Sequence, residues 1–138
     1  VYGPEQEFVI GKAITLREGT DAAIISIGDT VHIALEAAEE LLKQGIKARV
    51  LDMHTIKPLD VEAVTKAVNE CGKIVTVEDH NIINGLGSAV ASVAADMGHG
   101  VVKRIGILDR FGQSAPYERL LEMNGITVEN IVSIVKGI

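Results

Sequence analysis

The residues most able to do chemistry lie in VTVEDHNIINGLGSAV, residues 75–90, where an acidic pair and a histidine precede a glycine-rich turn. Glu78 and Asp79 could act as proton acceptors, and a histidine such as His80 can serve as a general acid or base. Successive side chains of a strand point to opposite faces of its sheet, so Glu78 and Asp79 should face apart. The two carboxylates are therefore a poor acid–base pair.

The glycines that follow could serve an anion site. Backbone N–H groups at the start of a helix bind phosphate, and Gly85, Gly87 and Ser88 would let a ligand approach closely. A dinucleotide-binding turn needs a third small residue three places after the second glycine, and Val90 stands there instead. Two interpretations remain open: an anion site, or a helix whose small residues pack tightly against the sheet or a neighbour.

Similar polar residues follow the other predicted strands. Ligands of parallel α/β sheets bind outside the carboxyl ends of the strands. This edge is therefore predicted to meet a partner or to bind an anion, although each residue alone could merely cap a helix or lie in a solvated loop. The candidate residues are Asp29, His54, Glu78, Asp79, His80, Gly85, Gly87, Ser88, Asp109 and Arg110.

Composition excludes several functions. The net charge of −6 and the lack of a basic cluster argue against nucleic-acid binding. No apolar run is long enough to span a bilayer, and the first residues given do not have the pattern expected of a signal peptide. The single cysteine, Cys71, fits a reducing cytoplasm, and the four histidines show no metal-ligand spacing. No catalytic residue and no metal ligand is predicted from the residues alone.

Strand and helix patterns alternate along the 138 residues. Doubly apolar strands at 21–29, 46–53 and 73–78 are typical of the inside of a parallel sheet, whereas the alternating strands 12–17 and 101–108 should lie at its edges. The pattern predicts one three-layer α/β/α domain over residues 12–138, with residues 1–11 as an arm or linker from an upstream domain. The short link between 12–17 and 21–27 predicts that these two strands pair as a hairpin.

Four segments together resemble the C-terminal domain of transketolases, and the likeness extends over residues 8–138. It is closest to the C-terminal half of split, two-subunit transketolases, while deoxyxylulose phosphate synthase and the beta subunit of 2-oxoacid dehydrogenases share the domain. The four segments are DMHTIKPLD at 52–60, VTVEDHNIINGLGSAVA at 75–91, RIGILDRFGQS at 104–114 and LLEMNGITVENIV at 120–132.

The resemblance implies a five-stranded mixed sheet of order 1-3-2-4-5 with an antiparallel first strand, in which 12–17 lies beside 46–53. It also implies an enzyme that transfers two-carbon ketol units between sugar phosphates with thiamine diphosphate and Mg²⁺ or Ca²⁺. These bind between a pyrimidine-binding and a diphosphate-binding domain, so no catalytic or cofactor-binding residue is expected on this chain. The complete enzyme should be a cytoplasmic homodimer or heterotetramer, and the isolated chain should be inactive. The alternatives are the C-terminal domain of a deoxyxylulose phosphate synthase or of a 2-oxoacid dehydrogenase beta subunit, and a stand-alone module that binds a phosphorylated metabolite.

Overall fold

The computed structural model describes residues 9–81, 85–107 and 116–138, and for His80 and Asn81 it describes the backbone alone. Strands and helices alternate over most of this part of the chain. The strands are β1 Ile14–Arg17, β2 Ala22–Ser26, β3 Ala48–Asp52, β4 Lys73–Asn81 and β5 Val101–Ile107. The helices are α1 Val31–Lys43, α2 Val61–Glu70, α3 Leu86–Met97, α4 Tyr117–Met123 and α5 Val128–Gly137, and a short 3-10 turn spans Gly28–Thr30.

The strands form one mixed sheet of order β1-β3-β2-β4-β5. β1 runs antiparallel to β3, and the other neighbouring pairs are parallel. The α/β fold and the strand order implied by the resemblance are confirmed. The placement of the two alternating strands at the edges is confirmed as well.

The hairpin predicted from the short link between β1 and β2 is wrong. β1 pairs with β3, with Ile14 opposite Asp52, so the link must cross the start of β3 before β2 begins. A Cβ atom added at Gly19, in this link, would lie 2.4 Å from the carbonyl oxygen of Lys47. The crossing is possible because glycine has no Cβ, and link length alone could not reveal it.

Helices cover both faces of the sheet. Ile25, Leu51 and Ile74 pack with α2 and α3, whereas their neighbours in sequence pack with α1 and α5 on the opposite face. The central strands are buried on both faces, as their uninterrupted apolar sequences predict. Within the described residues, no helix combines the length and the apolar character needed to cross a membrane.

Candidate functional site

The carboxylate of Glu78 lies at the start of α3 and is fully buried. Its Oε1 accepts a hydrogen bond from the backbone N–H of Leu86 at 2.8 Å, and its Oε2 accepts one from Gly87 at 2.7 Å. Free N–H groups at a helix start carry partial positive charge and favour an anion. Here that anion is the chain's own side chain, so a phosphate at this helix start would have to displace a buried carboxylate.

Gly87 brings α3 close to the sheet. A Cβ atom at this position would lie 2.8 Å from both Oγ1 of Thr76 and Cγ of Arg104. Thr76 and Arg104 are paired residues of β4 and β5, so the helix starts directly over these two strands. The short distance from Glu78 to the helix amides depends on this approach. These contacts are those expected of the packing interpretation of the glycine-rich turn.

Asp79 faces the opposite layer, as the alternation along β4 predicts. Its Oδ2 accepts a hydrogen bond of 2.7 Å from the hydroxyl of Tyr117, the first residue of α4. Partial burial, this hydrogen bond and the charges of Asp79 and Asp29 together raise the pKa of Tyr117 well above its usual value. Tyr117 therefore stays protonated and holds α4 to the end of β4.

Thr30 joins the carboxyl ends of two neighbouring strands. Its buried hydroxyl donates to the carbonyl oxygen of Ile27, 2.7 Å away, and lies 3.0 Å from that of Val77 at the end of β4. The preceding residue Asp29 is exposed at the same edge. The ends of β2 and β4 are thus held together.

The predicted site residues separate into groups. Asp29 and Asp79 lie near Tyr117, whereas Glu78 is bonded to Leu86 and Gly87 on the other face of the sheet. His54 follows the end of β3 and is half-buried, and the hydroxyl of Ser88 lies 3.4 Å from a guanidinium nitrogen of Arg104. Asp109, Arg110 and the side chain of His80 lie outside the described residues.

Two residues that hold this edge together, Tyr117 and Thr30, were not among the predicted site residues. Tyr117 lies 38 positions from Asp79, and Thr30 lies 47 positions from Val77. The scarcity of aromatic residues could have pointed to Tyr117, because the sequence has only two tyrosines and two phenylalanines. Thr30 is a plausible cap of the following helix from its sequence alone, and α1 does begin at the next residue, but no local pattern indicates its bond to Val77.

The described edge does not fit a diphosphate group. The helix amides at Leu86 and Gly87 are occupied by Glu78, and on the other face of the sheet Asp29 and Asp79 add negative charge near Tyr117. In the parts of the chain that the structure describes, no group of three or more His, Cys, Asp or Glu side chains could hold a metal ion.

The sequence matches the family described as "Transketolase, C-terminal domain" over residues 11–131. The chain belongs to this family. This transketolase C-terminal domain is 44% identical over 126 residues to the 6-deoxy-6-sulfo-D-fructose transketolase subunit SqwH of a Clostridium species. The alignment covers 91% of this chain and 39% of the relative. The domain is 42% identical to the 1-deoxy-D-xylulose-5-phosphate synthase of Thermomicrobium roseum, over 96% of this chain and 21% of the relative.

A solved structure has the same fold. A split gene transketolase, described as an inactive beta4 tetramer, superposes with a TM-score of 0.92 at 39% identity and covers 99% of this chain. The transketolase C-terminal domain described here corresponds to 45% of that chain and to less than half of both relatives.

Proposed function

We propose that this chain is the C-terminal assembly domain of a thiamine-diphosphate-dependent transketolase. The complete enzyme would transfer two-carbon ketol units between sugar phosphates, and the bound cofactor would supply the carbanion chemistry. In this proposal, thiamine diphosphate and its divalent metal bind to the pyrimidine-binding and diphosphate-binding domains, on the same polypeptide or on a companion subunit. The present domain contacts those domains through the edge at the carboxyl ends of its strands.

The assembly role is supported by one observation: the carboxylates at this edge form hydrogen bonds within the domain. Glu78 is bonded to two amides of α3, and Asp79 is bonded to Tyr117. Both hold a strand end against the start of a helix, which gives the edge a defined shape. A defined shape is what a domain interface requires, because it lowers the ordering cost of association.

Titration calorimetry tests whether the cofactor binds to the other domains and not to this chain. The 138-residue chain, mixed with thiamine diphosphate and Mg²⁺, should give no heat beyond that of dilution, and it should not convert ketose phosphates. The positive control is the complete enzyme under the same conditions. Micromolar binding of the cofactor by the chain alone, or turnover by it, contradicts the proposal.

The second candidate is the C-terminal domain of a 1-deoxy-D-xylulose-5-phosphate synthase, which is favoured by the 42% identity of this chain to such an enzyme. Relatives of this domain occur in both kinds of enzyme, so the two activities are separated by the complete enzyme and not by this fold. A product assay on the complete enzyme decides. Formation of 1-deoxy-D-xylulose 5-phosphate would favour the synthase, whereas exchange of ketol units between two sugar phosphates would favour the transketolase.

A further inference from the structure

A groove lies between α1 and α5, which pack against each other on one face of the sheet. Its volume is about 540 Å³. The groove combines an apolar part from α5 with carboxylates from both helices. The side chains that give it this character are Val128, Val132, Glu36, Glu39, Glu40 and Glu129, and we call the surface that they line the acidic groove.

The apolar part of the acidic groove has a fixed position. Val128 and Val132 lie one turn apart on α5 and are half-buried, because they also pack against the core. The start of α5 is held by two hydrogen bonds. Thr127 Oγ1 accepts one from the N–H of Asn130 at 3.1 Å, and Asn130 Nδ2 donates one to the carbonyl oxygen of Gly125 at 2.7 Å. The two valines therefore present a preformed apolar surface.

The charge of the acidic groove is only partly compensated within the chain. Oε2 of Glu39 lies 2.6 Å from Nη2 of Arg17, and Oε1 of Glu40 lies 3.0 Å from Nζ of Lys43. In the described part of the chain, no Lys, Arg or His nitrogen lies within 4.0 Å of either of the other two carboxylates. The acidic groove therefore keeps negative charge for a partner to neutralise.

The sign of this charge decides which kind of partner fits. A nucleic acid or a membrane with anionic lipids would be repelled by the carboxylates. A second copy of the chain, related by a twofold axis, would bring the same carboxylates against each other, which is unfavourable. The partner that complements the acidic groove carries positive charges beside an apolar surface.

The length of the acidic groove suits a short helix. Glu36, Glu40 and Gln44 lie on successive turns of α1 and all line it, so it extends about 12 Å along that helix. We propose that the acidic groove binds a basic amphipathic helix of a partner protein, about two to three turns long. The apolar stripe of that helix contacts Val128 and Val132, and its Lys or Arg side chains pair with the carboxylates. This binding does not depend on the proposed transketolase function.

Fluorescence anisotropy with a labelled model peptide tests the proposal. The peptide consists of Leu and Lys in an amphipathic pattern of about 15 residues, which is long enough to form a helix. It should bind the 138-residue chain, and the double variant Glu36→Gln/Glu129→Gln should weaken binding about fivefold. The matched control, Glu62→Gln/Asp96→Asn, removes the same charge from exposed positions of α2 and α3 and should change the affinity less than about twofold. Urea unfolding establishes that each variant is folded.

A second peptide, with Ser in place of each Leu, tests the apolar part of the acidic groove and should bind at least about tenfold more weakly. Four outcomes overturn the inference. The first is no binding of the Leu/Lys peptide. The second is equal binding of the Ser/Lys peptide, or equal weakening by the two double variants, because either result shows attraction by overall charge alone. The third is equal binding of a peptide with Glu in place of each Lys. The fourth is binding to the 138-residue chain but not to the complete enzyme, which assigns the acidic groove to a contact within that enzyme.

Discussion

The carboxylate of Glu78 should stabilise the start of α3, because it accepts hydrogen bonds from two buried backbone N–H groups there. Replacing Glu78 by Gln keeps the size of the side chain but leaves one acceptor oxygen for the two N–H groups of Leu86 and Gly87. The amide nitrogen of Gln would then face a backbone donor, and one buried N–H would lose its partner. The helix would also lose the negative charge at its start.

The expected cost follows from these losses. A hydrogen bond to a charged group contributes about 1.5–3 kcal/mol, and an unsatisfied buried donor costs about 1–3 kcal/mol. These terms overlap, so Glu78→Gln should lower the free energy of unfolding by about 2–4 kcal/mol. With a urea slope of about 2 kcal/mol per M, the unfolding midpoint should fall by about 1–2 M.

Glu62→Gln is the matched control. Glu62 also lies in the first turn of a helix, but its side chain is 80% exposed and its nearest ion-pair partner, Lys12, is 4.0 Å away. The control should change the free energy of unfolding by less than about 0.5 kcal/mol. If the two variants unfold at the same urea concentration with equal slopes, the carboxylate of Glu78 is not the stabilising ligand of α3.

Three further outcomes can be measured on the same protein. Gly87→Ala should cost about 1–3 kcal/mol because its new Cβ would meet atoms 2.8 Å away, whereas Gly137→Ala, with no atom within 4 Å, should be nearly neutral in urea unfolding. The raised pKa of Tyr117 means that the folded state keeps a proton which the unfolded state releases above about pH 10, so stability should fall there as pH rises. Tyr117→Phe should reduce that fall, and an unchanged pH profile would contradict the pairing with Asp79. His80→Ala in the complete enzyme should leave turnover unchanged in a steady-state assay, and a large loss of turnover would place this histidine at the reaction centre.

The sequence by itself determined which segments are strands and which are helices. Uninterrupted apolar residues identified the central strands, and alternation identified the edge strands, because side chains of a strand point to each face in turn. The same alternation placed Glu78 and Asp79 on opposite faces. Strand position and side-chain direction depend on residues that are close in sequence, so local patterns are sufficient to predict them.

Only the tertiary structure decided which distant groups meet. The link between β1 and β2 is short enough for a hairpin, yet it crosses the start of β3, and Gly19 permits this because it has no Cβ atom. The glycine-rich turn was compatible with an anion site or with close helix packing. In the structure, the carboxylate of Glu78 binds the helix amides that a bound anion would need. The bond from Tyr117 to Asp79 joins residues 38 positions apart, and local periodicity carries no information at that distance.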